Sequence, residues 1–130
     1  MATFEIIVRR RGKKGLLTFS HGDIAVSTTC WWDPQVKIEP NSDGYVAYAT
    51  RMHTKKDSVT GDKRPGIWLG KDVKYARGTK KSNAIFIHEG KNAAWSDGCI
   101  VAVRADVMRM WNAITPKGQP NVLVKVFDDG

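Results

Sequence analysis

Between Ile85 and Ile100 the chain reads Ile-Phe-Ile-His88-Glu-Gly90-Lys-Asn-Ala-Ala-Trp95-Ser96-Asp97-Gly98-Cys99-Ile. A short apolar run delivers a histidine at its end. A loop follows, and then Ser-x-Gly-Cys. A thiol is a weak nucleophile at its ordinary pKa, and an imidazole within hydrogen-bond reach converts it to thiolate. A histidine on a strand end is aimed by the backbone rather than floppy. Glycine before the cysteine lets the chain turn tightly and leaves the sulfur open to substrate. Backbone N–H groups in such a turn can point at a developing oxyanion. An isolated His and Cys are more often a satisfied core histidine and a small buried hydrophobe. The flanking Ile-His-x-Gly and Ser-x-Gly-Cys-Ile shift the balance towards chemistry.

Short strands must position these residues, because the dominant hydrophobic period along the chain is two. Phe4, Ile6 and Val8 alternate with Thr3, Glu5 and Ile7. Arg11-Gly12-Lys13-Lys14-Gly15 reads as a hairpin turn, and Leu16 to Phe19 as the returning strand. His21-Gly22-Asp23 is a turn before a strand from Ile24 to Thr29. Glu39 to Gly44 is dense in turn formers. Tyr45 to Met52 predicts a strand, Lys55 to Pro65 a polar loop, and Gly66 to Gly70 a short strand. Lys71 to Asn83 is a long charged excursion. Ala84 to Ile87 is a buried strand, and Val122 to Phe127 closes the chain. Helical spacing occurs once, at Val107, Met110, Trp111 and Ile114, with Asp106 in the first turn and Pro116 and Gly118 at the end. The expected fold is mainly β, built of short strands with one helix after Cys99, as a single domain over residues 1–130.

The chain has 130 residues, 42% of them hydrophobic and 26% charged. That composition excludes disorder, collagen and coiled coil as whole-chain readings. No run approaches the length of a membrane helix, so membrane insertion is not expected. Arg9, Arg10, Arg11, Lys13 and Lys14 form one basic cluster. Lys71, Lys74, Arg77, Lys80 and Lys81 form another, within a net charge of +8. Such clusters suit nucleic acid, an anionic membrane or an anionic wall polymer, or are simply solvated faces. Cys30 and Cys99 leave four-cysteine metal sites out of reach, and His21, His53 and His88 add no metal-ligand spacing. No cofactor or metal is expected. Cys30 reads as a buried structural thiol, and His21 and His53 as solvent-facing.

The order strand–His-x-Gly, loop, Ser-x-Gly-Cys-Ile, helix, strand resembles the catalytic domain of the bacterial L,D-transpeptidases. Pro65-Gly66-Ile67-Trp68 resembles the proline–glycine approach to a strand before that family's histidine. Arg104-Ala-Asp106 with the apolar helix resembles its continuation, and Val122-Leu-Val-Lys-Val its terminal strand. The resemblance covers about residues 60 to 127, roughly half the chain. It implies a mainly β fold, a β-sandwich or barrel of short strands, and a cysteine enzyme acting on peptidoglycan stem peptides, as L,D-carboxypeptidase, a hydrolase, or as L,D-transpeptidase, a transferase. The departures are specific. Asp97 stands where the family has a second histidine, Val101 stands where it has an arginine, and Cys99 comes only eleven positions after His88. These features resemble compact, short-loop relatives among phage proteins and antibacterial toxins delivered by type VI secretion.

The resemblance implies Cys99 as nucleophile and His88 as general base, then acid. Ser96 would orient the imidazole through its hydroxyl or carbonyl. The N–H groups of Gly98 and Cys99 are candidate oxyanion donors. Asp97 would bind a substrate amine or cap the turn. Gly90, Trp95 and Arg104 complete the candidate substrate-binding set, Trp95 as a cleft wall and Arg104 as the nearest substitute for the missing arginine. The implied partners are peptidoglycan stems, a cognate immunity protein and a secretion-system carrier, with no nucleic acid expected. The residues at the start do not read as a signal peptide. The expectation is therefore synthesis in the cytoplasm and action in the periplasm after delivery, or in a phage setting. The alternative is a non-catalytic basic module that binds nucleic acid or wall polymer.

Overall fold

The computed structural model describes residues 3–96 and 98–129; the expectation for Asp97 lies outside the described residues. Phe4, Ile6 and Val8 are buried while Glu5, Arg9 and Arg11 are exposed, so the period of two becomes one apolar face on β1 (Phe4–Arg11). The same logic builds β2 (Lys14–His21), β3 (Ile24–Trp31), β4 (Asn41–Lys56), β5 (Lys63–Trp68), β8 (Phe86–Glu89), β9 (Ile100–Ala102) and β10 (Val122–Asp128). Two further short strands, β6 (Val73–Lys74) and β7 (Lys81–Ser82), form a separate ribbon.

The eight longer strands close into a barrel in the order β1-β10-β4-β5-β8-β9-β3-β2. Closure removes exposed sheet edges. Two neighbouring pairs are parallel, β1 with β10 and β8 with β9. Ile6, Leu17, Ala47, Ala49, Ile67, Ile87, Ile100 and Val124 fill the interior. The protein is thus mainly β, a closed barrel with one α-helix among the described residues. That helix, α1 (Arg104–Ala113), sends Val107 and Met110 into the core, with Ile114 just beyond its end, and Trp111 packs beside them. No helix among the described residues is long and apolar enough to cross a membrane.

Several boundaries differ from the sequence reading. The turn formers at Asn41–Gly44 belong to β4 rather than to a loop. Asn41 Oδ1 accepts the Gly44 N–H at 2.9 Å, and Gly44 has φ +103°. The β4–β10 register shifts beside them, so turn chemistry here makes a bulge within a strand. The expected loop from Lys55 to Pro65 shrinks to residues 57–62, because Arg51 pairs with Pro65 and Lys56 with Lys63. The charged excursion carries the β6–β7 ribbon, which is anchored by buried Val73 and by an Ile38–Tyr75 bridge. The first basic cluster is partly neutralised. Arg10 is buried against Asp128 at 2.6 Å, and Arg9 reaches Asp129 at 3.4 Å.

Candidate active site

The core takes Ile67, Ile87 and Ile100, so strand alternation turns their neighbours outward. On β5 these neighbours are Arg64, Gly66 and Trp68. On β8 they are Phe86 and His88. At β9 they are Cys99, one residue before the strand, and Val101. Gly66 pairs with His88, and His88 with Val101, while Ile87 pairs with Ile100. Cys99 therefore lies level with Phe86, and His88 one rung further along the same outer face. The parallel β8–β9 pairing brings the two sequence-predicted reactive residues onto adjacent strands.

Cys99 lines a cavity of about 630 Å³. Its walls include Thr50, Arg51, His53 and Lys55 of β4, Trp68 and Phe86, and Ser82 to Ala84. The Cys99 Sγ accepts the backbone N–H of Phe86 at 3.4 Å and lies 3.6 Å from the carbonyl oxygen of Ala84. The two contacts fix the position of the sulfur at the cavity wall. Cys30 has the opposite environment. It is fully buried in β3, and burial pushes its thiol up to about 12. The two cysteines share no disulfide.

His88 is almost wholly buried. Its Nδ1 is 2.7 Å from the carbonyl oxygen of Glu89 and 3.3 Å from Nη1 of Arg64. A carbonyl only accepts and a guanidinium only donates, so one nitrogen cannot serve both. The shorter contact decides: Nδ1–H donates to Glu89, and Nε2 keeps the lone pair. Arg64 is then a close cationic neighbour. Its Nε donates to the carbonyl of Lys56 at 2.9 Å, and its guanidinium lies 5.5 Å from the centre of the Trp95 ring.

Comparison with protein-family models, with curated proteins and with solved structures found no match to this chain. What the site can do rests on its own side chains.

The Ser96 hydroxyl organises the cysteine turn. It donates to the carbonyl of Cys99 and accepts the N–H groups of Asp33 and Gly98, both at 3.2 Å. The Gly98 N–H is thereby engaged within the turn. Gly98 itself has φ +102°, and a Cβ there would stand 3.2 Å from the Tyr75 ring, so both backbone and space call for glycine. Gly90 serves close approach: a Cβ would lie 2.7 Å from Val101 and 2.8 Å from Trp95. Trp95 covers Arg64. Arg104 stands apart from the thiol. It holds Asp57 in a two-pronged contact at 2.8 and 2.9 Å and approaches Glu89 at 3.7 Å. Arg104's hydrogen bonds keep the Asp57 carboxyl well below the usual range, and Asp57 in turn raises Arg104.

Arg64 is the site residue that sequence reasoning missed. Its signal was the alternation Arg64, Gly66, Trp68 directly before a strand carrying the histidine. Sequence reasoning placed His53 at a strand end facing solvent; it lies exposed within β4, lining the cavity. Among the described residues no three of His, Cys, Asp and Glu converge as metal ligands.

Proposed function

We propose that this protein is a cysteine acyl-transfer enzyme acting on the stem peptides of peptidoglycan, as an L,D-carboxypeptidase or L,D-transpeptidase. The observation that carries the reading is the placement of Cys99 in a cavity, with its sulfur receiving a backbone N–H, on the same strand face as a histidine of fixed tautomer. In the first step Nε2 of His88 takes the Cys99 thiol proton and the sulfur attacks the acyl carbon of the scissile amide. A thioester forms, the C–N bond breaks, and the imidazolium of His88 returns its proton to the leaving amine. In the second step His88 deprotonates water or an incoming amine, which attacks the thioester and releases the thiolate. Water gives a trimmed peptide, and an amine gives a crosslink or an exchanged D-amino acid.

The substrate class follows from the resemblance in the His88 to Cys99 stretch, and the cavity wall carrying Arg51 and Lys55 suits a peptide rich in carboxylates. Such a substrate places the action in the periplasm, as a delivered antibacterial effector with an immunity protein in the producer, or in a phage setting. The test is digestion of purified muropeptides followed by mass spectrometry. Wild type and Cys30→Ala should convert them, and Cys99→Ala should not. Conversion by Cys99→Ala at the wild-type rate overturns the assignment. Fused to a signal sequence, the wild-type protein should lyse its host and the Cys99→Ala form should not.

A further inference from the structure

The two basic clusters have different fates in the fold. Of the first, Arg9 and Arg10 pair with Asp129 and Asp128, which leaves Arg11, Lys13 and Lys14 exposed at the β1–β2 turn. By contrast Lys71, Lys74, Arg77, Lys80 and Lys81 are all exposed, and none makes an ion pair with a described residue. The excursion from Lys71 to Lys81 contains one acidic residue, Asp72. It is held in place: β6 pairs with β7, Val73 is buried, and the Ala76 N–H donates to the carbonyl of Lys37 at 2.9 Å. Five like charges on a fixed ribbon repel one another and create a local positive field.

The ribbon also adjoins the reactive turn. Tyr75 packs close to Gly98, immediately before Cys99, and β7 runs straight into the cavity-lining residues Ser82, Asn83 and Ala84. A polyanion lying on the ribbon therefore ends beside the thiol. Tyr75, the ribbon's aromatic residue, is half-buried against the core, and the partly exposed Trp68 and Phe86 rings line the cavity rather than the ribbon, so the ribbon itself does not interleave its cations with exposed rings. Binders of single-stranded nucleic acid combine cations with such rings.

We propose that the β6–β7 ribbon is a docking surface for polymeric peptidoglycan, gripping the carboxylates of stem peptides that neighbour the one presented to Cys99. This rests on the reading of the site given above. The ribbon would convert a reaction on single peptides into one concentrated on the intact wall.

The test compares Cys99→Ala protein with the same protein carrying Lys74→Gln, Arg77→Gln and Lys80→Gln, in co-sedimentation with purified, insoluble peptidoglycan sacculi. The ribbon variant should bind about tenfold more weakly, the sum of three exposed ion pairs. Wild-type-ribbon binding should weaken with added salt and on sacculi whose carboxylates have been amidated. With Cys99 intact, the ribbon substitutions should leave turnover of soluble muropeptides unchanged and slow the release of product from sacculi. Equal sedimentation of the two proteins overturns the proposal. So does tighter binding to DNA than to sacculi at the same salt, which would make nucleic acid the partner. If sedimentation depends on the ribbon but soluble muropeptides are never converted, the docking surface stands and the enzymatic reading falls.

Discussion

Nη1 of Arg64 lies 3.3 Å from Nδ1 of His88, and no carboxylate among the described residues pairs with that buried guanidinium. A buried charge without a counter-ion is costly to fold around. Here the guanidinium is wedged between the Lys56 carbonyl, the Trp95 ring and the histidine. Nδ1–H already donates to Glu89, so the guanidinium packs beside the ring without bonding to it and walls the imidazole in.

That cost separates stability from activity. Arg64→Met keeps much of the volume and removes an uncompensated charge, so its melting temperature should match or exceed that of wild type. Its kcat on muropeptides should fall about 10²-fold, the scale for a misplaced catalytic group, with KM little changed and the acid limb of the pH profile displaced. Arg64→Lys should recover part of the loss. A loss of activity that merely tracks a lowered melting temperature would make Arg64 structural.

The two thiols should react very differently. Burial holds the Cys30 thiol up at about 12 with none of its surface exposed, while Cys99 opens onto the cavity. In native protein near neutral pH, iodoacetamide should modify one thiol quickly, and Cys99→Ala should abolish that labelling. Both should react in denaturant. Rapid labelling of native Cys99→Ala would show that Cys30 is reachable.

Arg104 and Asp57 give a stability signature in acid. The carboxyl of Asp57 is held below its ordinary value by Arg104, so its contribution is complete above the unfolded value of about 3.9 and is lost as pH falls through the folded value. The gap in melting temperature between wild type and Asp57→Asn should be widest at pH 7 and close progressively below about pH 4. A gap independent of pH would show that the carboxylate charge is not what stabilises the fold.

Much of the fold was legible in the sequence because its signals are local. The alternation in Phe4–Val8 and the i, i+3, i+4, i+7 set at Val107–Ile114 each depend on neighbours along the chain, and both are realised. Asn41–Gly44 misled because a bulge and a turn use the same residue types. The site was legible as the pair His88 and Cys99 but not as an assembly. Arg64 meets His88 only through the β5–β8 register, and Arg104 meets Asp57 across 47 positions. Ser96 was expected to orient the imidazole through its hydroxyl or carbonyl, and spacing did not tell that the hydroxyl is taken up within the turn it begins. Long-range pairing of strands carries such information, and residue spacing does not.

The central claim is that the Cys99 sulfur becomes covalently acylated by a stem peptide. Intact-protein mass spectrometry after brief mixing with a purified disaccharide-tetrapeptide reads this directly. Wild type should gain the mass of the acyl fragment left after loss of the terminal amino acid. The adduct should map to Cys99, be released by hydroxylamine as a thioester is, and be absent from Cys99→Ala. Slower formation is expected for His88→Ala, and undiminished formation for Cys30→Ala. Product release from the tetrapeptide with no adduct at Cys99, or an adduct that persists in Cys99→Ala, would contradict the account.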